Sequence, residues 1–177
     1  ITTAADGAFS VYAADLDGDG DMDAFVGSSS YNFGSDVFFF RNIGTVNNPR
    51  FYRVGDDPFG IGNPSDFPDP LFADIDNDGD QDVLITADNL TTRLYLNDGM
   101  GGFANAVSLG VAGACGIANG DYDNDGDLDL FIHGNGAARA LFRNDQPGTN
   151  NWVMVKCEGN ASGTTALGTI IRIKATI

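Results

Sequence analysis

Three segments of the chain carry an aspartate at every second position of a nine-residue pattern, D-x-D-x-D-G-D-x-D. Of the 25 acidic residues 24 are aspartates, and 15 of these lie in the three segments. We number the positions 1 to 9 and call the segments the first, second and third acidic loops. Their aspartates are Asp15, Asp17, Asp19, Asp21 and Asp23; Asp74, Asp76, Asp78, Asp80 and Asp82; and Asp121, Asp123, Asp125, Asp127 and Asp129. Because short carboxylates on a tight turn converge on one point, this spacing predicts binding of a hard cation.

The positions of the pattern predict distinct roles around such a cation. Side chains at positions 1, 3, 5 and 9 supply carboxylate oxygens, and position 7 supplies its backbone carbonyl. The glycine at position 6 (Gly20, Gly79 and Gly126) permits the reversal that returns position 9 to the ion. A bidentate carboxylate at position 9, together with water, brings the coordination to six or seven oxygens. An all-oxygen set of this size, without His or Cys, predicts three Ca²⁺ sites.

Two other calcium motifs are excluded by the residues that surround the pattern. An EF-hand needs a glutamate at position 12 and a helix on either side of the loop. Position 12 is Val26, Ile85 or Ile132 instead, inside an apolar run. The glycine pairs of the secreted nonapeptide repeats are missing too.

The charge and composition exclude other classes of function. The chain of 177 residues has a formal net charge of −16, which argues against electrostatic binding to nucleic acid or to anionic membranes. Three bound divalent cations would reduce this charge to about −10. No stretch of 18 apolar residues is present, so we expect no membrane insertion. Because the sequence starts at Ile1, we expect a mature product or an excerpt of a longer chain.

The segments after the acidic loops predict an all-β fold. Each loop runs into a short apolar stretch, and a second strand follows that ends at Asn42, Asn97 or Asn144. The apolar stretches do not alternate with polar residues, which indicates strands covered on both faces. The 24 glycines argue against helices. Residues 104–118 come closest to a helical pattern, but their glycines favour strand and turn.

Several segments between the strands are candidates for recognition or packing. Residues 56–69, together with Pro70, are proline-rich and predict an ordered surface loop. Tyr31 and Phe33 lie in a glycine- and serine-rich stretch and are candidates for ligand contact. Phe38 and Phe40 lie on one face of a strand, where we expect them to join the core, with an interface as the alternative.

The acidic loops with their following strands resemble the FG-GAP/VCBS repeats of integrin-α-like β-propellers. The resemblance implies propeller-type blades of antiparallel strands, with one Ca²⁺ held by the five aspartates of each loop. It places three repeats at about 9–54, 68–110 and 114–149, within a unit spanning 1–149. The Phe-Gly and Gly-Ala-Pro elements of the family are not evident, since 26–28 read Val-Gly-Ser, and there is no Arg-Gly-Asp. Integrin-type ligand binding is therefore not implied.

The C-terminal segment, residues 150–177, is similar to the ASPIC/UnbV segment that follows such repeats in some extracellular proteins. The similarity rests on Asn-Trp-Val-Met-Val at 151–155 and on the apolar stretch at 167–173. It implies an extracellular, secreted or cell-surface location. Alternating apolar residues in this segment predict a hairpin with one buried face.

About three blades are fewer than the four to eight that close a propeller. We therefore expect either an excerpt of a longer propeller or a homo-oligomer that pairs open blade edges. The favoured function is a non-catalytic, calcium-stabilised module for adhesion or for recognition of a glycan or protein. The alternatives are a structural subunit of a surface layer or fibre, and a non-catalytic part of a secreted propeller hydrolase or lyase.

Two further residue types bear on function and redox state. The chain has a single histidine, His133, and no Ser/His/Asp or Cys/His set can be assembled around it, so we expect no catalysis. Cys115 and Cys157 fit no metal pattern and are either a disulfide or two buried thiols. Asn89 and Asn160 lie in N-glycosylation sequons, which matter only if the chain is secreted by a cell that glycosylates its proteins.

Overall fold

The computed structural model describes residues 8–28, 37–45, 47–54, 59, 69–86, 91–134, 139–145, 155 and 170–171. Within these ranges the chain forms eleven β-strands and no helix. The strands are β1 (Ala8–Ala14), β2 (Asp23–Ser28), β3 (Val37–Asn42), β4 (Phe51–Arg53), β5 (Asp69–Ala73), β6 (Asp82–Thr86), β7 (Thr91–Asn97), β8 (Phe103–Ala112), β9 (Ala114–Gly120), β10 (Asp129–Gly134) and β11 (Arg139–Phe142). None of the described residues forms a helix that is long and apolar enough to cross a membrane.

The strands form three antiparallel sheets in chain order. The first sheet holds β1 to β4, the second holds β5 to β8, and the third holds β9 to β11. Every sheet is a meander, in which each strand pairs with the next one along the chain. In each sheet an acidic loop joins the first strand to the second, so the three loops occupy equivalent places. The predicted all-β architecture of antiparallel blades is confirmed at this level.

The strand that follows the second acidic loop, β6, is covered on both faces because a sheet packs on either side of it, whereas β10 leaves Phe131 exposed. Residues paired across antiparallel strands share a face, and Phe25 of β2 pairs with Phe39 of β3. These two rings contact a cluster that includes Val83 and Ile85 of the second sheet. Leu84, between those two residues, points the other way and packs with Leu130 of the third sheet. The unbroken apolar stretch of β6 therefore serves two interfaces at once, and the prediction of strands covered on both faces holds for β6 but not for β10.

Aromatic rings fill the space between the first and second sheets. Phe59, from the proline-rich segment, is buried there and lies 5.2 Å from Tyr95 and 5.1 Å from Phe103, measured between ring centroids. Phe39 meets Phe103 edge-on at 6.2 Å. Such tilted and edge-to-face pairs add about 0.5–1.5 kcal/mol each to the burial of their surface.

Three sequence-based expectations are corrected by these contacts. Phe39, rather than Phe38 and Phe40, is the core residue of β3. Phe38 and Phe40 share the opposite face, as expected, but that face is only partly covered. Pro70 belongs to β5, an edge strand that tolerates proline because its missing N–H falls outside the ladder. Phe59 shows that the proline-rich segment contributes to the core and is not only a surface loop.

Residues 104–118 form strands, as predicted, rather than a helix. β8 and β9 meet at Gly113, whose positive φ of 66° supplies the turn between the second and third sheets. Cys115, on β9, is a free and exposed thiol. It is therefore neither a buried thiol nor part of a disulfide. The C-terminal segment 150–177, apart from 155, 170 and 171, lies outside the described residues, as do Tyr31 and Phe33.

Because Phe38 and Phe39 lie on opposite faces of β3, we expect their substitution by alanine to lower the free energy of unfolding by different amounts. Phe39→Ala should lower the free energy of unfolding by about 3–5 kcal/mol, because it removes a fully buried ring. Phe38→Ala removes a half-covered ring that stacks under the Arg53 guanidinium at 4.3 Å, and should cost less than half as much. Urea denaturation of both variants in dilute solution measures the difference. Equal losses would contradict the assignment of faces.

Candidate metal centres

The three acidic loops lie side by side at one rim of the stacked sheets. Asn77 in the second loop donates its side-chain N–H to Asp127 in the third loop over 2.7 Å. The turn formed by residues 98–102 lies between the first and second loops: Arg41 donates to the Met100 carbonyl at 2.6 Å, and Asp80 packs against Gly99. Gly99 has a positive φ of 73° and a Cβ there would lie 2.5 Å from the Asp80 carboxylate, so glycine is favoured at this position. The loops thus form one acidic rim.

Each loop is shaped by its own carboxylates. The position 1 carboxylate accepts the N–H of the position 6 glycine at 2.9 to 3.1 Å in all three loops. The position 5 carboxylate accepts the N–H of position 7 at 2.8 to 3.0 Å, which is an Asx turn. In the second and third loops the other oxygen of position 1 accepts the position 5 N–H at 3.1 Å, whereas the Asp15 Oδ1 has no donor. The aspartates at positions 1 and 5 therefore build the turn as well as supplying ligand atoms.

Two positions of each loop need a left-handed backbone. The glycines at position 6 have φ values of 88°, 101° and 99°, as their predicted role in the chain reversal requires. Position 4 is also left-handed, with φ values of 69°, 59° and 64° at Gly18, Asn77 and Asn124. Only glycine, and asparagine less readily, adopts this conformation at low cost. In the sequence, the residues Gly, Asn and Asn at position 4 of the three loops indicate this left-handed backbone, which the ligand pattern alone does not predict.

The aspartate at position 9 is buried in every sheet. Asp23, Asp82 and Asp129 are at most 2% exposed. One oxygen of each accepts the N–H of the position 2 residue at 2.8 to 3.0 Å. The other oxygen accepts the N–H of an asparagine at 2.7 to 2.9 Å: Asn42 and Asn97 end β3 and β7, and Asn144 lies two residues beyond β11. Position 9 therefore ties its loop to two strands, a structural role that its predicted part as a bidentate ligand did not include.

Burial raises the pKa of these position 9 carboxyls in the first two sheets. The pKa of Asp82 is raised to about 6 by burial, against the lowering effect of the Asn97 and Ile75 N–H groups. The pKa of Asp23 is raised for the same reason, with the charges of Asp17 and Asp19 adding to the effect. A cation held by the same loop would counteract this cost, since a positive charge stabilises the ionised form.

Three carboxylates converge in each loop closely enough to hold a metal ion. In each group below, one oxygen from every residue lies within 4.8 Å of the others. The groups are Asp15, Asp17 and Asp19; Asp74, Asp76 and Asp78; and Asp121, Asp123 and Asp129. They contain positions 1, 3 and 5 in the first two loops, and positions 1, 3 and 9 in the third.

The remaining predicted ligands are not part of these groups. Asp21, Asp80 and Asp127 lie at position 7, where only the carbonyl was expected to bind, and Asp127 instead accepts the Asn77 amide. Asp23 and Asp82 are engaged with backbone N–H groups, and Asp125 forms the Asx turn.

Several inward-facing carboxylate oxygens have no hydrogen-bond donor. They are buried Oδ1 atoms of Asp15, Asp17 and Asp76. Partial burial, and then the charges of Asp78 and Asp74, raise the pKa of Asp76. The pKa of Asp123 is raised by partial desolvation and by Asp125 and Asp129. Buried acceptors that repel one another without a donor fit a bound cation, which supplies the missing positive charge.

Arginines stand beside two of the three loops. The Arg41 Nε lies 3.2 Å from Asp17 Oδ2, and the Arg143 Nε lies 3.9 Å from Asp123 Oδ2. Arg41 directly precedes Asn42, and Arg143 directly precedes Asn144. Leu96 occupies that place in the second sheet. The second loop thus lacks the guanidinium that the other two loops receive from this position.

Two asparagines, Asn97 and Asn144, also join neighbouring sheets. Asn97 of the second sheet donates its side-chain N–H to the Leu16 carbonyl in the first loop at 2.9 Å. Asn144 of the third sheet donates to the Ile75 carbonyl in the second loop at 2.7 Å. Each asparagine also donates to a carbonyl in its own loop, at Gln81 and Leu128 respectively. The asparagines were visible in the sequence as strand ends, but their role between sheets requires the tertiary structure.

Comparison with known proteins supports the repeat assignment. Residues 74–132 match the model of the FG-GAP-like repeat family. Over these residues the chain is similar to an FG-GAP-like repeat. The match begins at position 1 of the second acidic loop and ends at position 12 of the third, so it covers the stretch from one candidate centre to the next. No curated protein and no solved structure is significantly similar to the chain.

The contacts of Asn97 predict a specific cost for losing its amide. Asn97→Asp keeps the shape and the acceptor oxygen but removes both N–H donors to Leu16 and Gln81. We expect a loss of about 1–3 kcal/mol in the free energy of unfolding, because buried carbonyls are left without donors. Chemical denaturation measures this loss.

The control is Asp98→Asn at the adjacent exposed turn. The Asp98 oxygen that accepts the Met100 and Gly102 N–H groups is retained in asparagine, so stability should change little. An Asn97→Asp variant as stable as this control would show that the bond between the sheets contributes nothing.

Proposed function

We propose that the chain is a calcium-binding, non-catalytic repeat module in which Ca²⁺ stabilises the loops and the sheets they join. The observation that carries the proposal is the convergence of three carboxylates in each loop, with buried oxygens that lack donors in the first and second loops. The ligand atoms are all oxygen, which favours Ca²⁺ over Zn²⁺ or Cu²⁺. The FG-GAP-like match is consistent with metal-binding loops at these places.

The residues that would hold the ions are the converging groups, at positions 1, 3 and 5 in the first two loops and at positions 1, 3 and 9 in the third. Ca²⁺ would supply the positive charge that these carboxylates lack. Because the same carboxylates form the Asx turn and the position 6 hydrogen bond, the ion would also hold the backbone in its left-handed turns. Its role in this proposal is structural.

Catalysis is not part of the proposal. His133 lies on β10, exposed, paired with Gly116 and Arg139. The position 9 carboxylates accept backbone N–H groups, and Asp127 accepts the Asn77 amide. We assign the module to the extracellular space, where millimolar calcium would keep such sites filled, and to adhesion or recognition of a glycan or protein partner.

Calcium should raise the thermal stability of the protein and bind at three sites per chain. A site with free Ca²⁺ at 100 times its dissociation constant contributes about 2.7 kcal/mol to the free energy of unfolding. Isothermal titration calorimetry measures the stoichiometry, and thermal unfolding with Ca²⁺ or with a chelator measures the stabilisation. Asp76→Asn should remove one of the three sites, because Asp76 is a member of the second group.

The matched control is Asp145→Asn, an exposed aspartate outside the loops that pairs with Arg143 at 2.6 Å. It changes the net charge by the same amount as Asp76→Asn and should retain three sites. Identical melting temperatures in calcium and in chelator would contradict the structural role of the ion. A variant Asp76→Asn that still binds three ions would contradict the placement of the second site.

A further inference from the structure

The outer face of the third sheet is apolar and exposed. The equivalent faces of the first and second sheets are buried. At position 11 of the pattern, Phe25 and Leu84 are fully buried, whereas Phe131 is 48% exposed. Leu141, which pairs with Phe131, is 57% exposed, whereas its equivalent Phe39 is 1% exposed. In the first two sheets these residues are covered by the next sheet. The described part of the chain contains no fourth sheet.

A polar contact is also left open on this face. At position 2, Leu16 and Ile75 are 1% and 7% exposed, and their carbonyls accept the asparagine of the next sheet. Tyr122 occupies position 2 of the third loop and is 52% exposed. A hollow of about 230 Å³ lies beside it, lined by Tyr122, Phe131 and Leu141 among others. The hollow lies where the equivalent asparagine enters at the other two interfaces.

The first sheet exposes the complementary surface. Its outward face carries Val11, Val26, Phe38 and Phe40, with Val11 paired to Val26 and 67% exposed. The equivalent residues of the second sheet include Pro70, Ile85 and Tyr95, which are buried against the first sheet. Asn42 ends β3 just as Asn97 ends β7. The outer face of the third sheet and the outer face of the first sheet are therefore both uncovered. They correspond to the two sides of each internal interface.

We propose that the outer face of the third sheet binds the outer face of the first sheet of a second copy of this chain. The intermolecular contact repeats the packing of the two internal ones: position 11 and its partner pack on the residues equivalent to Val83 and Ile85. The faces of the sheets form this contact, rather than their strand edges. Because the two surfaces differ, the association is head to tail.

Head-to-tail association of three-sheet units has two geometric outcomes. Two copies supply six sheets, a number within the four to eight that close a propeller. If the rotation between copies does not close, the same contact propagates into a fibre. Both outcomes use the same two faces. The proposal is independent of cation binding, since its test reads molecular mass rather than affinity for Ca²⁺.

Arginine substitutions on each face test the proposal. Wild-type protein should show at least twice the 18.6 kDa mass of the chain by light scattering coupled to size exclusion. Phe131→Arg and Val11→Arg should each be monomeric, because both positions are exposed and the arginine blocks one of the two faces. Val107→Arg on β8, at a site as exposed as Phe131, should associate like the wild type. Circular dichroism confirms that each variant is folded, and Leu141→Arg provides a second variant on the third sheet.

Mixing the two monomeric variants distinguishes head-to-tail contact from other modes. Each variant retains one intact face, so the mixture should form a heterodimer of about twice the chain mass. A wild-type monomer at all concentrations would overturn the proposal, and would indicate that another part of the chain or a different protein covers the face. Dimerisation of Val11→Arg alone would overturn it too, because it would show that the third sheet pairs with itself.

Discussion

A buried carboxylate at the start of each second strand holds the repeat together. Asp82 accepts the N–H of Ile75 with one oxygen and the N–H of Asn97 with the other. One residue thereby joins the start of its loop, the start of β6 and the end of β7. A buried charge is costly unless it is fully hydrogen-bonded, and the raised pKa of Asp82 reflects that cost. The geometry of the loop and the closure of the sheet therefore depend on each other.

The same junction carries the contact from one sheet to the next. Ile75 uses its N–H for the aspartate of its own sheet and its carbonyl for Asn144 of the third sheet. An ion that stiffens the loop would consequently stiffen the interface between sheets. Tyr12 adds a link at the first interface, since its hydroxyl donates to Asp69 at 2.6 Å, which raises its pKa to about 12. Loop chemistry and sheet packing are thus parts of one network.

The loops differ in how their charge is balanced. Arg41 and Arg143 bring a guanidinium to the first and third loops, and Leu96 brings none to the second. Arg41 also holds the Met100 carbonyl, so the arginine of one sheet fixes a turn of the next. Gly101 leaves room for that arginine, because a Cβ there would lie 2.4 Å from Nη2. The three loops thus have similar backbone conformations but different neighbouring charges.

The sequence by itself determined the all-β class and the candidate ligands. Aspartate at every second position around a glycine is a local pattern, and local hydrogen bonds within nine residues produce the turn. The apolar stretches also predicted strands covered on both faces, which is correct for β6 and wrong for β10, where Phe131 is exposed.

Only the tertiary structure decided which residues join the sheets and which faces stay open. Phe39 and Phe38 are equally apolar neighbours, and the register of β3 against β2 alone sends one into the core. Asn97 contacts Leu16 across 81 residues of chain, a separation that no local pattern specifies. The two hydrogen bonds of the position 9 carboxylate depend on how the strands of one sheet are arranged. Phe131 is exposed, whereas Phe25 and Leu84 are buried, because of the order in which the sheets stack. Contacts between distant segments are set by the packing of whole sheets, because each sheet presents a face that only its neighbour completes.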